Sequence, residues 1–387
     1  MTSPSALSLT PGGFDYSSRT RLVYGEGCVA RVGELVRQLG GSRVLLVTDP
    51  GIARAGHADA VRRSIESAGA AVSLYDQARE NPTTRDVQSC VEAARAAHAD
   101  FLVGLGGGSS MDTAKGCNFI LTNGGEMKDY WGVGKATRPM LPMVAIPTTA
   151  GTGSECQSAA LIADELTHQK MACLDPKAAA AVALLDPTLT LSQPARVTAC
   201  TGLDAIAHAL ETAVTLKRNP ISALFSREAF LLCGGTFQKV TLDPGDLAAR
   251  GRMLLGAAFA GAAIENSMLG AAHAAANPLT ARHNLVHGHA VGMLLPAVVL
   301  YNAQLPEAEA EYLRLARTVG LGSVGDLVAM LRAALASSGL ASSLAKCGIL
   351  EENLPILAEE AAAQWTARFN PRPVTAADFL VLYRSVL

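Results

Sequence analysis

In the first half of the chain, short apolar runs of strand length alternate with stretches of helical period. "SRVLLVTD", residues 42 to 49, reads as a buried strand that ends in an acid and stops at the turn pair Pro50 and Gly51. A helical stretch over about 55 to 68 follows, and then a second strand in "AAVSLYD". After the turn at Asn81 and Pro82, "TRDVQSCVEAARAAHA" has helical spacing, and "DFLVGL" is again a buried strand. "MVAIP", residues 143 to 147, predicts another. Such alternation predicts a parallel sheet with helices on its faces. From about residue 195 the texture changes to long Ala- and Leu-rich helical stretches, which predict an all-α C-terminal domain. The expected division is therefore 1–194 and 195–387.

Two polar features interrupt the apolar helical half. In "TGLDAIAHALE", residues 201 to 211, Asp204 and His208 are four apart and leave one helix face a turn from each other. One reading is an acid near a helix N-terminus beside a hydrogen-bonded histidine; the other is a metal site. Farther on, "MLGAAHAAANPLTARHNLVHGHA" gathers His273, His283, His287 and His289, half of the chain's eight histidines. Three histidines and one aspartate would suit a borderline divalent ion such as Fe(II), Zn(II) or Mn(II), and spacing does not choose among them.

Composition narrows the function classes. The 387 residues carry a formal net charge of −2 and no long Lys/Arg run, so nucleic-acid binding has little support. The eight cysteines form no CxxC pair and lie mostly among apolar neighbours, as reduced buried thiols do. "MTSPSALSLTPGG" lacks the basic and apolar regions of a signal peptide, and the longer Ala/Leu runs are broken before membrane-spanning length. The expectation is a soluble cytoplasmic protein without a membrane partner.

The strand ends carry the remaining chemistry. "DFLVGL" runs into "GGGSSMDTAKG", residues 106 to 116: a strand, three glycines and two serines, then a helix-compatible segment. Backbone N–H groups there can approach an anion at a helix N-terminus. In the common dinucleotide fingerprint the ribose-binding acid follows the glycines by about 20 residues. Here the strand-end acid Asp49 precedes them, so it is either a turn former or the product of a different strand order. "MVAIPTTAGTGSE" adds Thr148, Thr149 and Thr152 as hydroxyls for phosphate or ribose. Three such loops would line a crevice at the C-terminal edge of the sheet.

Taken in order, "GGGSSMDTAK", "PTTAGTGSE", "KMACLDP", "TGLDAIAHALE", the His-rich segment and "FNPRP" resemble the iron-containing (group III) alcohol dehydrogenase family over nearly the whole chain. That resemblance implies a Rossmann-like α/β dinucleotide-binding domain followed by an all-α, metal-binding and catalytic domain. It implies metal ligands at Asp204, His208, His273 and His287, with Fe(II) expected and Zn(II) as the alternative. It places the pyrophosphate of NAD on Gly106, Gly107, Gly108 and Ser109, with Asn81, Asp112, Thr148, Thr149, Thr152 and Lys170 as further cofactor positions. Asp49 matches the ribose acid, which accepts from a 2′-hydroxyl and repels a 2′-phosphate and so implies NAD over NADP.

The implied activity is hydride transfer between a small primary alcohol, or diol, and nicotinamide, with the metal stabilising the alkoxide. The expected partner is a small alcohol or aldehyde, and a homo-oligomer, dimer or larger, is expected. By analogy Trp365, Thr366 or Phe369 contributes to the substrate pocket. One departure stands out: many members carry a histidine four residues after the third ligand, where this chain has Asn277. A proton relay must then use water, a ribose hydroxyl or another histidine such as His283. Two alternatives accompany this reading. A lyase of the dehydroquinate synthase type would need a basic pocket, and the His-rich segment offers only Arg282. A non-enzymatic NAD-binding scaffold would have no need of the metal ligands.

Overall fold

The computed structural model describes residues 14–167 and 169–387, so the reading of the N-terminal "MTSPSALSLTPGG" lies outside the described residues. Nine strands occur among the described residues: β1 (Arg21–Tyr24), β2 (Arg43–Val47), β3 (Ala71–Tyr75), β4 (Phe101–Gly106), β5 (Gly132–Val133), β6 (Met143–Pro147), β7 (Ala159–Ala163), β8 (Lys170–Leu174) and β9 (Val182–Leu185). Six of them form one sheet in the order β1-β9-β6-β4-β2-β3, with every pair parallel. Side chains alternate across it. Val44, Leu46, Phe101 and Val103 enter one core with Val61 and Ile65, while Leu45, Val47, Leu102 and Met143 enter the other with Val87 and Val91. Burial on both faces explains why these strands read as unbroken apolar runs.

The strand order settles the position of Asp49. β2 is followed by its neighbour β3 on one side, whereas β4, on the other side of β2, is followed by β6 still farther over. The winding therefore reverses between β2 and β4, which opens a crevice at their C-terminal ends. The acid after β2 and the glycines after β4 are neighbours in space although the acid comes first in sequence. A small second sheet, order β5-β8-β7, contains an antiparallel β7–β8 pair. Alternating strand-and-helix reading did not anticipate it.

The chain forms two compact units that interleave in sequence. The α/β unit comprises Arg19–Gly202 together with Thr236–Gly261; the second comprises, of the described residues, Phe14–Ser18, Leu203–Gly235 and Ala262–Leu387. The divide falls within the helix Ala195–Val214. Thr236–Gly261 packs within the α/β unit: Arg250 Nη1 donates to Gln193 Oε1 at 3.2 Å and Thr198 Oγ1 at 3.1 Å, and the helix Leu247–Glu265 presents Gly261 to Gly153, the end of the loop after β6. A Cβ on Gly261 would lie 2.2 Å from the Gly153 carbonyl oxygen, so this contact admits no side chain. Among the described residues, Leu247–Glu265 alone is long and apolar enough to cross a membrane, and it is mostly buried within the protein. In the second unit no strand is found among the described residues; its helices include Pro220–Gly234, Ala271–His283, His287–Asn302, Pro306–Thr318 and Val324–Ser337.

Candidate active site

The helix Ala195–Val214 aims Asp204, His208 and Glu211 from one face, at positions i, i+4 and i+7. The helix Ala271–His283 brings His273 to them in its first turn, and His287 is the first residue of the helix His287–Asn302. Asp204 Oδ1 lies 3.3 Å from His273 Nε2, 3.5 Å from His208 Nε2 and 3.9 Å from His287 Nε2. One ligand atom from each of Asp204, His208 and His273 falls within a 4.8 Å span. The rings of His208 and His273 stack at 4.8 Å, and that of His287 is tilted against His273 at 5.2 Å. Asp204, His208 and His273 are buried, whereas the His287 side chain is 28% exposed and marks the open side.

This donor set fits a divalent ion. Asp204 Oδ1 and His273 Nε2 are buried without hydrogen-bond partners, a costly state for polar atoms unless an ion completes them. Burial pushes the Asp204 carboxyl up, but His208, with His273 and His287, outweighs it and holds the group well below the usual carboxylate range. Burial lowers His273, yet the Glu211 and Asp204 carboxylates overcome this and raise it to about 9. Ion binding at such a ring displaces a proton. Three imidazoles and one carboxylate serve Fe(II) or Zn(II) alike.

Glu211 was not singled out in the sequence. Its Oε1 accepts from the Ala272 N–H at 2.7 Å and its Oε2 bonds His273 Nδ1. The one available signal was its spacing, seven residues after Asp204 within the same motif. His283 is not brought to the cluster. It ends the helix in whose first turn His273 lies, and ten residues of helix separate them by roughly 15 Å along the axis. Asn277 donates through Nδ2 to Gln364 Oε1 at 3.0 Å. Arg282 is paired with Glu360 and so leaves no basic pocket at that position.

In the α/β unit the expected cofactor residues gather at the crevice between β2 and β4. The helix Gly108–Asn123 starts at Gly107 without a side-chain cap, so its first N–H groups are open to an anion. A Cβ on Gly108 would meet Thr152 at 2.8 Å, and one on Gly107 would meet Thr149 at 3.4 Å; the glycines let the two loops close together. The Thr148 N–H donates to the Gly106 carbonyl at 3.0 Å. Asn81, at φ 52°, donates through its backbone N–H to Ser109 Oγ at 3.3 Å. Asp49 Oδ1 caps a short helix by accepting from Gly51 at 2.8 Å and Ile52 at 3.0 Å, while Oδ2 lies 3.5 Å from Ser110 Oγ beside the glycine loop. The turn-forming and crevice-facing roles thus belong to different oxygens.

Asp112 and Lys170 are placed differently. Asp112 faces Ser154, whose Oγ donates to Oδ1 at 3.1 Å; burial raises its carboxyl, opposed by Lys115 and Lys170. Lys170 opens β8 and is exposed. Lys115, unremarked in the sequence, is fully buried and donates to Ser154 O and Oγ, Gln157 O and Ala159 O at 2.6 to 3.1 Å. It ties the helix after the glycines to the segment after the threonine loop.

These two sets of residues, a buried Asp/His cluster and a phosphate-compatible sheet edge, characterise a metal- and nucleotide-using oxidoreductase. The family profile "Iron-containing alcohol dehydrogenase" matches residues 19–187, and "Fe-containing alcohol dehydrogenase family, C-terminal" matches 198–387. The chain belongs to the iron-containing alcohol dehydrogenase family and is an NAD-dependent alcohol dehydrogenase in class. It is 33% identical to the NAD-dependent methanol dehydrogenase of Bacillus methanolicus, over 94% of this chain and 97% of that one. Identity to sulfoacetaldehyde reductase of Bilophila wadsworthia is 32%, over 94% and 96%. A crystal structure of 1,3-propanediol oxidoreductase superposes with a TM-score of 0.93 at 30% identity, covering 97% of this chain and all of the other.

Proposed function

We propose that the protein interconverts a small primary alcohol, or diol, and its aldehyde by hydride transfer with NAD. Asp204, His208, His273 and His287 hold a divalent ion, Fe(II) with Zn(II) as the alternative. The observation that carries this reading is the pair of buried, unpartnered donor atoms, Asp204 Oδ1 and His273 Nε2. The relatives' names support a small substrate, since methanol, sulfoacetaldehyde and 1,3-propanediol contain three carbons or fewer.

A divalent ion supplies Lewis acidity that lowers the pKa of an alcohol oxygen, and NAD supplies the hydride acceptor. The rest falls to the chain's own residues. Asp204 offsets part of the ion's charge, and the stacked rings of His208 and His273 fix two donors in a buried setting. The uncapped helix start at Gly108 offers N–H groups to the pyrophosphate, and Asp49 Oδ2 accepts from a ribose hydroxyl. Asn277 has no proton to exchange near neutral pH, and His283 lies far along its helix, so the alcohol proton leaves through water or a ribose hydroxyl.

The test uses enzyme reconstituted with defined metals against a panel of short alcohols, diols and aldehydes, read as NADH change. The His273→Ala variant should lose both metal retention and turnover. Normal turnover in a metal-free His273→Ala protein would overturn the scheme.

A further inference from the structure

We propose that Glu211 is a positioning residue that decides which ring nitrogen of His273 meets the ion, and so sets the metal affinity of the centre; this rests on the four-ligand reading above. Glu211 is 2% exposed and both of its oxygens are engaged. A carboxylate only accepts, so each partner must donate. One is the Ala272 N–H, and the other is His273 Nδ1. A ligating, neutral imidazole carries a single N–H, so with hydrogen on Nδ1 the lone pair belongs to Nε2. That nitrogen is the one 3.3 Å from Asp204 Oδ1 and without a hydrogen-bond partner.

The start of the His273 helix does not depend on Glu211 alone. Asn370 Oδ1 accepts from the Ala271 N–H at 3.2 Å, and Asn370 is itself held by Asn302 through bonds of 3.1 and 2.7 Å. Removing the Glu211 charge therefore leaves that helix start anchored. This separates a positioning role from a purely structural one.

Glu211→Gln makes the separation sharp because it keeps the shape and inverts one bond. The glutamine oxygen still accepts from Ala272, which leaves the NH2 facing His273 Nδ1. That nitrogen must then accept, and the ring hydrogen moves to Nε2, where it occupies the lone pair an ion needs. A carboxylate behind a ligating histidine is worth about 10- to 100-fold in metal affinity.

The experiment titrates apo protein with Co(II) in competition with a chelator, for the native chain, Glu211→Gln and Asp204→Ala. Glu211→Gln should bind Co(II) about 10- to 100-fold more weakly, with native NADH affinity and an apo melting temperature near native. Affinity within about twofold of native would overturn the proposal. Should Glu211→Gln fail to fold, imidazole 15N spectra of the native Zn(II)-loaded protein decide: the hydrogen of His273 belongs on Nδ1, and finding it on Nε2 refutes the assignment. Asp204→Ala isolates the underlying reading. Native Co(II) affinity in that variant sinks the four-ligand centre itself, whereas its loss beside an unaffected Glu211→Gln sinks only the role of Glu211.

Discussion

Gly261→Ala places one methyl group where two backbones meet. The new Cβ would lie 2.2 Å from the Gly153 carbonyl oxygen and 2.8 Å from both its carbonyl carbon and its Cα. Ordinary contact begins near 3.4 Å, so the backbones must part by about an ångström, and no rotamer change relieves a backbone clash. Overpacking of this kind costs about 1–3 kcal/mol. For a unit of roughly 150–250 residues that lowers the melting temperature by about 2–12 °C. The displacement does not stop at Gly153. Its neighbour Thr152 rests against Gly108 at the start of the anion-facing helix, so the cradle opens as well. Each 1.4 kcal/mol lost from binding is tenfold, and the dissociation constant for NADH should rise about tenfold or more. Scanning fluorimetry of the apo protein, NADH fluorescence titration and metal analysis together test this. Metal content should stay native, because Asp204, His208, His273 and His287 belong to the other unit. Native melting and native NADH affinity in Gly261→Ala, or lost metal with intact NADH binding, would refute the reasoning.

Asp49→Ser retains an oxygen to cap Gly51 and Ile52 but removes the charge beside the glycine loop. Stability should change by less than about 1 kcal/mol, while the NADP/NAD ratio of kcat/KM rises about tenfold or more; a ratio within about twofold of native would show that the carboxylate does not read the ribose. Glu155 is buried with Oε1 unpartnered, and burial raises its carboxyl from 4.5 to about 7. A carboxyl raised on folding contributes stability that is fully present below pH 4.5 and is lost as pH rises through about 7. Glu155→Gln should therefore melt above the native protein at pH 7 and higher, with the gain fading toward pH 4.5; a difference independent of pH would contradict the assignment.

The sequence was most informative where one side-chain period suffices. "SRVLLVTD", "DFLVGL" and "MVAIP" correspond to β2, β4 and β6, because strands buried on both faces read as apolar runs; "AAVSLYD" corresponds to β3, an edge strand that is largely exposed. The helix expected over about 55–68 is found as His57–Ser67, starting after Gly56 at φ 83°, and a separate short helix, Pro50–Arg54, occupies the place of the expected Pro50–Gly51 turn. Asp204 and His208 were legible as a pair because one helix turn sets their spacing. Contacts that depend on distant chain were not. Glu211 looks like an ordinary helix acid until His273, 62 residues later, meets it. Lys115 looks like a surface lysine until the segment after β6 wraps its ammonium. Thr236–Gly261, a member of the α/β unit, meets the rest of it through contacts such as Gly261 on Gly153 and Arg250 on Gln193 and Thr198, which no periodicity reports.

That last membership bears on how the chain is made. The last strand of the six-stranded sheet ends at Leu185, yet the helix that closes on Gly153 is complete only at Glu265. At a synthesis rate of about 5–20 residues per second, those two points are separated by roughly 4–16 s on the ribosome. Through that interval the nascent sheet lacks the surface that fixes its threonine loop, while Leu203–Gly235, which belongs to the other unit, has already emerged. Neither unit is fully synthesised before part of the other has emerged.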